Sequence, residues 1–485
     1  MKSFGMFIRG GLRSISPLLV LLCLTPLAAP AQSPAPTAQA DNRIPRRLSL
    51  AEAENLLLQR NLAVAASRYQ IEANRAARLI AGYKPNPVLT VGAEQFALNG
   101  NLLHNLIRTD PNAGSQSTYT IRVDKVIERG SKRVLRTGQA DFQLKASEAQ
   151  LLDAIRSQLF QLRQAFTSAT LARENLLLAE ATQRQYEQTE KLTEIRVEHG
   201  DLAGVEVFRA RAGLLQYQQA VLQARTSYEQ ATRDVLNLLG ARPDQVEPPP
   251  GSVASKDNSA TGDARVERAS LNLIGQEKVT WPDPLRGAAL EISGTFDDRP
   301  VTGTLAELRD LALAERPDVQ AARYLLEAAT RSTLLAQAQR TRDVSLGIEY
   351  QRVGSDNSVG ASVSFPLFVH NDQRAGVAQA EALRRAAEAQ LRQAETQAVA
   401  DVEKAYQAYL TARRLLELYS SQNLTQMEKL RNIATFSFRE GASSLIELLD
   451  AQRSYNQAIA AYNQARADYQ NSLWQLEQAV GRPLR

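Results

Sequence analysis

The side chains able to do chemistry are few and far apart. His104, His199 and His370 are the only histidines, and they are scattered. Glu198, His199 and Asp201 form the one local group with metal-ligand side chains, but the same residues suit a solvated turn, which is the simpler reading. No glycine-rich phosphate loop, dinucleotide fingerprint or HExxH helix occurs, and no nucleophile lies in an arrangement with a base. The expectation is a chain with no catalytic residues, no bound metal and no cofactor.

The N-terminus accounts for the rest of the reactive inventory. Lys2, Arg9 and Arg13 precede an apolar run from Ile15 to Ala29, and Ala29-Pro30-Ala31 supplies a small-residue cleavage site. Residues 1–31 therefore read as a signal peptide and 32–47 as a linker. As a membrane anchor the run is too short, and Pro17 and Pro26 interrupt it. Cys23, the only cysteine, lies inside this segment behind Leu22, where a lipoprotein site would want a small residue. Cleavage after Ala31 leaves neither a disulfide nor a thiolate ligand. It also removes three basic residues, taking the formal charge from +5 to 5 − 3 = +2. The high pI gives no reason to expect a nucleic-acid partner.

What remains must be explained by its elements. Only 6% of residues are aromatic, while Ala, Gln, Leu, Arg and Glu are abundant. Such a mixture favours long helices packed through small residues. No apolar run in the mature part approaches the roughly 20 residues a spanning helix needs, so any membrane crossing must be a closed β-barrel.

The chain also repeats itself. Leu50-Ala51-Glu52 recurs as Leu305-Ala306-Glu307, and Arg68-Tyr69 as Arg323-Tyr324, at an offset of 255. Further on Gly200 meets Gly441 and Glu206 meets Glu447, at an offset of 241. The first copy thus holds 255 − 241 = 14 extra residues, which fall naturally in a loop at Asn99–Ser115, within 97–117. Residues 48–240 form repeat 1 and 304–485 repeat 2, with 241–303 between them as linker, including the polar run from Pro248 to Asp263.

Each copy reads as helix–strand–strand–long helix–helix. Ser49 with Glu52, and Thr304 with Glu307, are capping boxes, each expected to open one continuous helix. Strands are expected at 88–96 and 117–126, and again at 343–351 and 358–367. Leu89 and Val91 alternate with Thr90 and Gly92; Ile348 and Tyr350 alternate with Gly347 and Glu349. One apolar and one hydrophilic face suits lipid outside a wet lumen, and equally a soluble sheet with one buried face. Four strands cannot close a membrane barrel, which needs about 8, so the barrel reading demands several chains.

Long helices are expected at 131–198 and 372–440, each about 100 Å long. Last helices follow at 203–239 and 444–480. The seams running from Val207 to Leu238 and from Leu448 to Ala479 keep a strict 3,4 spacing, implying left-handed supercoiling.

The whole mature chain resembles the TolC-like outer-membrane efflux factors. The marks are Arg316-Pro317-Asp318, Phe365-Pro366-Leu367-Phe368, and Gly441 followed by Glu447-Leu448-Leu449-Asp450, in order and against a duplicated background. Within the family Lys84-Pro85-Asn86-Pro87-Val88-Leu89 and Glu128-Arg129-Gly130-Ser131-Lys132-Arg133 resemble motifs of the CzcC-like heavy-metal group; in the second, Arg129 and Ser131 replace a Leu and a Gly.

The resemblance implies a mainly α fold with a small β part: a homotrimer whose twelve-stranded transmembrane β-barrel is continued by a long periplasmic α-helical barrel. It implies outer-membrane lipid, a periplasmic adaptor (membrane-fusion) protein and an inner-membrane pump of the proton-driven resistance-nodulation-division type as partners. The energy for transport would come from that pump. Gly200 and Gly441 would lie at periplasmic helix turns, and Glu206, Glu447 and Asp450 would line the aperture. Glu447 also completes a capping box with Ser444, and Glu206 suits a helix first turn, so both have a structural alternative. Phe438 and Ser443 stand where many members carry Tyr and Arg, so any latch closing the aperture must be built differently here. The cargo implied is heavy-metal cations, with small organic toxicants or secreted proteins as alternatives. Outside this family, a secreted coiled-coil scaffold or adhesin would fit the helices alone.

Overall fold

The computed structural model describes residues 43–94, 118–247, 290–296, 300–354, 356–419 and 421–484. The expected signal peptide, the loop at Asn99–Ser115, His104 and the linker from Pro248 to Asp263 lie outside the described residues. In chain order the elements are β1 (Arg47–Ser49), α1 (Leu50–Arg60), α2 (Leu62–Gly82), β2 (Val88–Glu94), β3 (Thr118–Ile127), α3 (Lys132–Glu198), α4 (Val205–Leu238) and β4 (Glu291–Ser293). The second half continues with α5 (Leu305–Glu315), α6 (Pro317–Ala338), β5 (Val344–Val353), β6 (Asp356–Ser364), α7 (Arg374–Leu418), α8 (Ser421–Arg439) and α9 (Leu445–Val480). The described chain divides into two compact units, one holding β2, β3, β5 and β6, the other β1, β4 and the helices.

Ser49 and Thr304 each accept from the backbone N–H three residues on and receive that residue's glutamate on their own N–H. The helices they open are not continuous, as the sequence reading expects, but break at Asn61 and Arg316. Both breaks lie in extended backbone, φ −61 and −60. At Arg316 the cause is Pro317, which excludes the α region for the residue before it. At Asn61 the side chain is the cause: its Oδ1 accepts from Ala63 and Val64 N–H at 2.9 and 3.1 Å, capping α2.

The helix expected over 372–440 is likewise two helices, α7, which ends at Leu418, and α8, which begins at Ser421. Asn423 Nδ2 donates to the Leu418 carbonyl at 2.7 Å, satisfying an acceptor released by the break. By contrast α3 runs unbroken for 67 residues. Residues 43–49 are more than a linker, because β1 pairs in parallel with β4, and Ile44 bridges to Val246. Around this small sheet Leu48, Leu162, Phe166, Tyr228, Leu236 and Ile292 form one core, and the Tyr228 hydroxyl bonds to the backbone of Leu290 and Ile292. A second core gathers Leu308, Tyr409, Leu473 and Leu476.

The two breaks perform one task with different chemistry. Asn61 Nδ2 donates to the Leu238 carbonyl and to Gln158 Oε1, both at 2.9 Å. Arg316, only 3% exposed, donates to the Ala479 carbonyl at 3.2 Å, to both oxygens of Asp318 and to Asp401 at 3.0 Å. In each case a polar side chain takes up a carbonyl in the last turn of a long helix, where intrahelical donors run out. Burial works against the charge on Asp318, but the Arg316 guanidinium overrides it and holds that carboxyl below its ordinary value of 3.8.

Arg316→Ala is expected to destabilise the helical unit by about 1–3 kcal/mol, because it leaves two half-buried carboxylates and the Ala479 carbonyl without their donor. Asn61→Ala should cost about 1–3 kcal/mol. Thermal unfolding followed by helical circular dichroism in detergent measures both. The Asp318 contribution is complete above its unfolded-state value and is lost as pH falls through the lower, folded-state one. Acid unfolding below pH 3.8 should therefore be blunted in Asp318→Asn.

At the junction of β3 and α3, Gly130 and Ser131 both carry positive φ, +72° and +57°. A Cβ on Gly130 would stand 3.1 Å from Thr341, so Gly130→Ala should lower the melting temperature, whereas Ser131→Gly should hold or raise it.

Candidate functional site

Two places in the described chain bring together residues from both halves in a way that bears on function. The first is formed by the two glycine turns. Gly200 and Gly441 have φ +79° and +80°. Each ends its helix in the same manner: Asp201 N–H donates to the Arg196 carbonyl and Gly200 N–H to Val197, while Ala442 N–H donates to Ser437 and Gly441 N–H to Phe438. This double bond pattern requires a left-handed residue, which glycine supplies without strain.

Phe438 is completely buried, in a cluster with Ala210, Leu445 and Leu448, with Leu192 and Leu202 packed against it. Arg196 reaches from the last turn of α3 to donate to the Phe438 carbonyl at 2.7 Å, and its guanidinium lies 5.0 Å above the Phe438 ring. Phe438 thus joins the two turns through packing and a cation–π contact rather than through a hydroxyl. The sequence reading did not single out Arg196. Its only signal was a basic residue in a helix last turn, a common preference that names no partner.

The three acids sit close to these turns but in different states. Glu206 accepts from Arg209 at 2.6 Å in the first turn of α4. Glu447 is exposed and completes the Ser444 capping box, accepting from Ser444 N–H at 3.4 Å while Ser444 Oγ accepts from Glu447 N–H at 3.2 Å. Asp450, one turn further along α9, is exposed and has no ion pair among the described residues. Ser443 is half-buried beside this box. His199 is exposed, its Nδ1 2.7 Å from the Ile195 carbonyl, and no group of metal-type side chains that could hold an ion occurs among the described residues.

The second place is the sheet, antiparallel in the order β2-β3-β5-β6. Register aligns the apolar residues into rows: Leu89, Val123, Ile348 and Ala361, then Val91, Ile121, Tyr350 and Val359. Every one of these is exposed, Val359 at 77%. The opposite face carries Thr90, Arg122, Glu349 and Gly360 in one row and Asp124, Gly347 and Ser362 in the next. Arg122 donates to Asp124 at 2.9 Å and to Ser362 at 3.2 Å, and lies 3.7 Å from Glu349. β2 and β6 each have one neighbour among the described strands, leaving two open edges. No described helix is long and apolar enough to cross a membrane.

The sequence profile described as outer membrane efflux protein matches residues 54–241 and 308–482, the stretches that carry both glycine turns and all four strands. The chain belongs to this family. It is 22% identical over 324 residues to the alkaline protease secretion protein AprF of Pseudomonas aeruginosa, and 31% identical over 172 residues to the pyoverdine export outer membrane protein OpmQ of Pseudomonas putida. These stretches take in 64% and 33% of this chain, and the chain spans 58% and 35% of the two relatives.

Among solved structures it is similar to the outer-membrane channel OprN (TM-score 0.64, 22% identity, 89% of each chain). It is also similar to CusC (0.66, 16%, 89% of this chain and 92% of the other) and to VceC of Vibrio cholerae (0.65, 18%, 90% and 97%). At these identities the likeness establishes the fold, mainly helical with a small sheet. The family is one of efflux proteins, not of enzymes.

Phe438→Ala is expected to destabilise the turn cluster by about 3–5 kcal/mol. Faster hydrogen exchange confined to residues 434–450 and 192–210, with the rest of α3 unchanged, is the outcome that identifies a local hub.

Proposed function

We propose that this chain is the outer-membrane channel of a tripartite efflux system, a passive exit duct assembled as a homotrimer. The sheet supports the reading most directly. Its apolar rows are exposed together on one face and its edges are open, a combination that a soluble domain avoids and a shared barrel resolves. Three copies supply twelve strands, enough to close a cylinder whose outer face meets lipid and whose inner face holds Arg122, Asp124, Glu349 and their neighbours. The long helices form the periplasmic conduit, and Gly200 and Gly441 mark its aperture. A periplasmic adaptor and a proton-driven inner-membrane pump of the resistance-nodulation-division type complete the system, with export to the outer membrane directed by the N-terminal segment.

Glu206, Glu447 and Asp450 of three chains would surround the aperture with carboxylates, concentrating cations and repelling anions. Their states are unequal. Glu206 is neutralised by Arg209 and Glu447 is engaged at a helix N-terminus, so Asp450 is the acid that acts on permeant ions. Fractionation should place the protein with outer membranes, and planar bilayers should show a conducting pore. Asp450→Asn is expected to lower its cation preference more than Glu206→Gln does; equal effects would overturn the assignment.

Heavy-metal cations are the first cargo, from the CzcC-like motifs at Asn86-Pro87 and Gly130-Ser131-Lys132-Arg133 together with the acidic aperture. The similarity to an alkaline protease secretion protein and a pyoverdine export protein favours a second reading, export of a protein or of a small organic molecule. Loss of zinc, cobalt or copper tolerance on gene deletion supports the first, and unchanged metal tolerance with lost tolerance to dyes the second.

A further inference from the structure

The polar face of the sheet carries a charge cluster that the aperture does not explain. Arg122 lies near the middle of β3, and its guanidinium spans three strands. Nε and Nη2 donate to Asp124 Oδ1 at 3.0 and 2.9 Å, Nη2 donates to Ser362 Oγ on β6 at 3.2 Å, and Nη1 faces Glu349 on β5 at 3.7 Å. All four residues are on the face opposite the apolar rows. Their side chains are only partly exposed, 34% for Arg122, 26% for Asp124 and 30% for Glu349.

Gly347 makes room for the arrangement. A Cβ there would stand 2.5 Å from both Asp124 Oδ1 and Ser362 Oγ, and 3.2 Å from Arg122 Nη2. The matching glycine of the first half, Gly92, has no such neighbours: its nearest would be Thr120 Cβ at 3.8 Å. The cluster is thus built on the β3-β5-β6 side alone. It holds a cation in a fixed position between two carboxylates, rather than leaving three solvated charges free to swing.

We infer that Arg122, held by Asp124, Glu349 and Ser362, is a specificity-determining residue of the duct: a fixed countercharge that sets how strongly the barrel, independently of the aperture, prefers small cations over anions. The inference rests on the proposed function, which turns this face inward. Each chain brings two carboxylates and one guanidinium to one depth, so three chains form a ring of residual negative charge. Inside the proposed lumen such a ring biases the potential that passing ions meet. Arg122 is the element that moderates it, and Gly347 permits the geometry.

Reversal potentials across planar bilayers in a salt gradient test this with the full-length protein, using potassium chloride as the probe. Removing the guanidinium in Arg122→Gln should raise the cation-to-anion permeability ratio by about twofold or more, while Glu349→Gln should lower it by a similar factor. Arg122→Lys, which keeps the charge, should stay near the parent value. Both shifts should persist in an Asp450→Asn background, since the two rings act in series. Opposite shifts from Arg122→Gln and Glu349→Gln support the inference. Channels that form but keep the parent ratio in both variants overturn it and leave the duct standing. A parent protein that forms no trimer and no pore removes the proposed function, and this inference with it. Should Arg122→Gln fail to assemble, the Glu349→Gln arm decides alone, and an unchanged ratio there overturns the inference.

Discussion

An extended strand carries a row of backbone donors and acceptors on each side, and in lipid no water is available to satisfy them. A sheet of four strands with two open edges and an exposed apolar face therefore sets a condition on everything else about this protein. Its edges must find other strands, and its apolar rows must find a non-aqueous surface. Register makes the condition sharp. Leu89, Val123, Ile348 and Ala361 share a row only because β2, β3, β5 and β6 pair in the alignment observed, and a slip of one residue would put Arg122 and Glu349 on that face instead. Proposing a closed trimeric barrel answers the condition without adding any new element to the chain.

The helices face a different constraint. Long amphipathic helices with small, Ala-rich seams gain little from each contact, so their ends need specific anchoring. This chain supplies it at three sites of contrasting chemistry. Asn61 uses a neutral amide to hold the last turn of α4, Arg316 a buried guanidinium with two carboxylates to hold that of α9, and Arg196 reaches the carbonyl of Phe438 between the glycine turns. The buried ion network and the amide do equivalent work, but they differ in their response to acid, because only the former depends on ionised carboxylates. The two halves of the chain share an order of elements while diverging in the polar groups that secure them.

Charge is distributed by the same economy of partners. Of Glu206, Glu447 and Asp450, the first is paired with Arg209 and the second closes a capping box, so that among these three only Asp450 is exposed with neither engagement. On the sheet the order is reversed. There the carboxylates of Asp124 and Glu349 flank a single arginine, and the cleft left by Gly347 fixes them around it. Counting acidic side chains would treat these places alike; geometry separates a mobile charge from a locked one.

Much of this organisation was legible in the residues themselves. The capping boxes at Ser49 and Thr304, the glycine turns, the unbroken α3 and the alternating strands all follow from local chemistry, in which each signal acts over a few residues and needs no distant partner. The helix break before Pro317 belongs to the same class and was readable from the proline, although the sequence reading ran the helix through it. Those that escaped depend on contacts between residues far apart in the chain. Asn61 caps α2 through local bonds, but that its amide also secures the end of α4 depends on Leu238 and Gln158, and β1 exists only because β4 lies beside it, 244 residues on between Arg47 and Glu291. Phe438 becomes a buried hub because Arg196 and Leu448 meet it, and Arg122 a clamped charge because Gly347 leaves it space. Periodicity determines which face of an element is apolar; only the folded chain decides what each polar side chain has to answer to, since hydrogen bonds and ion pairs depend on distances that sequence separation does not encode.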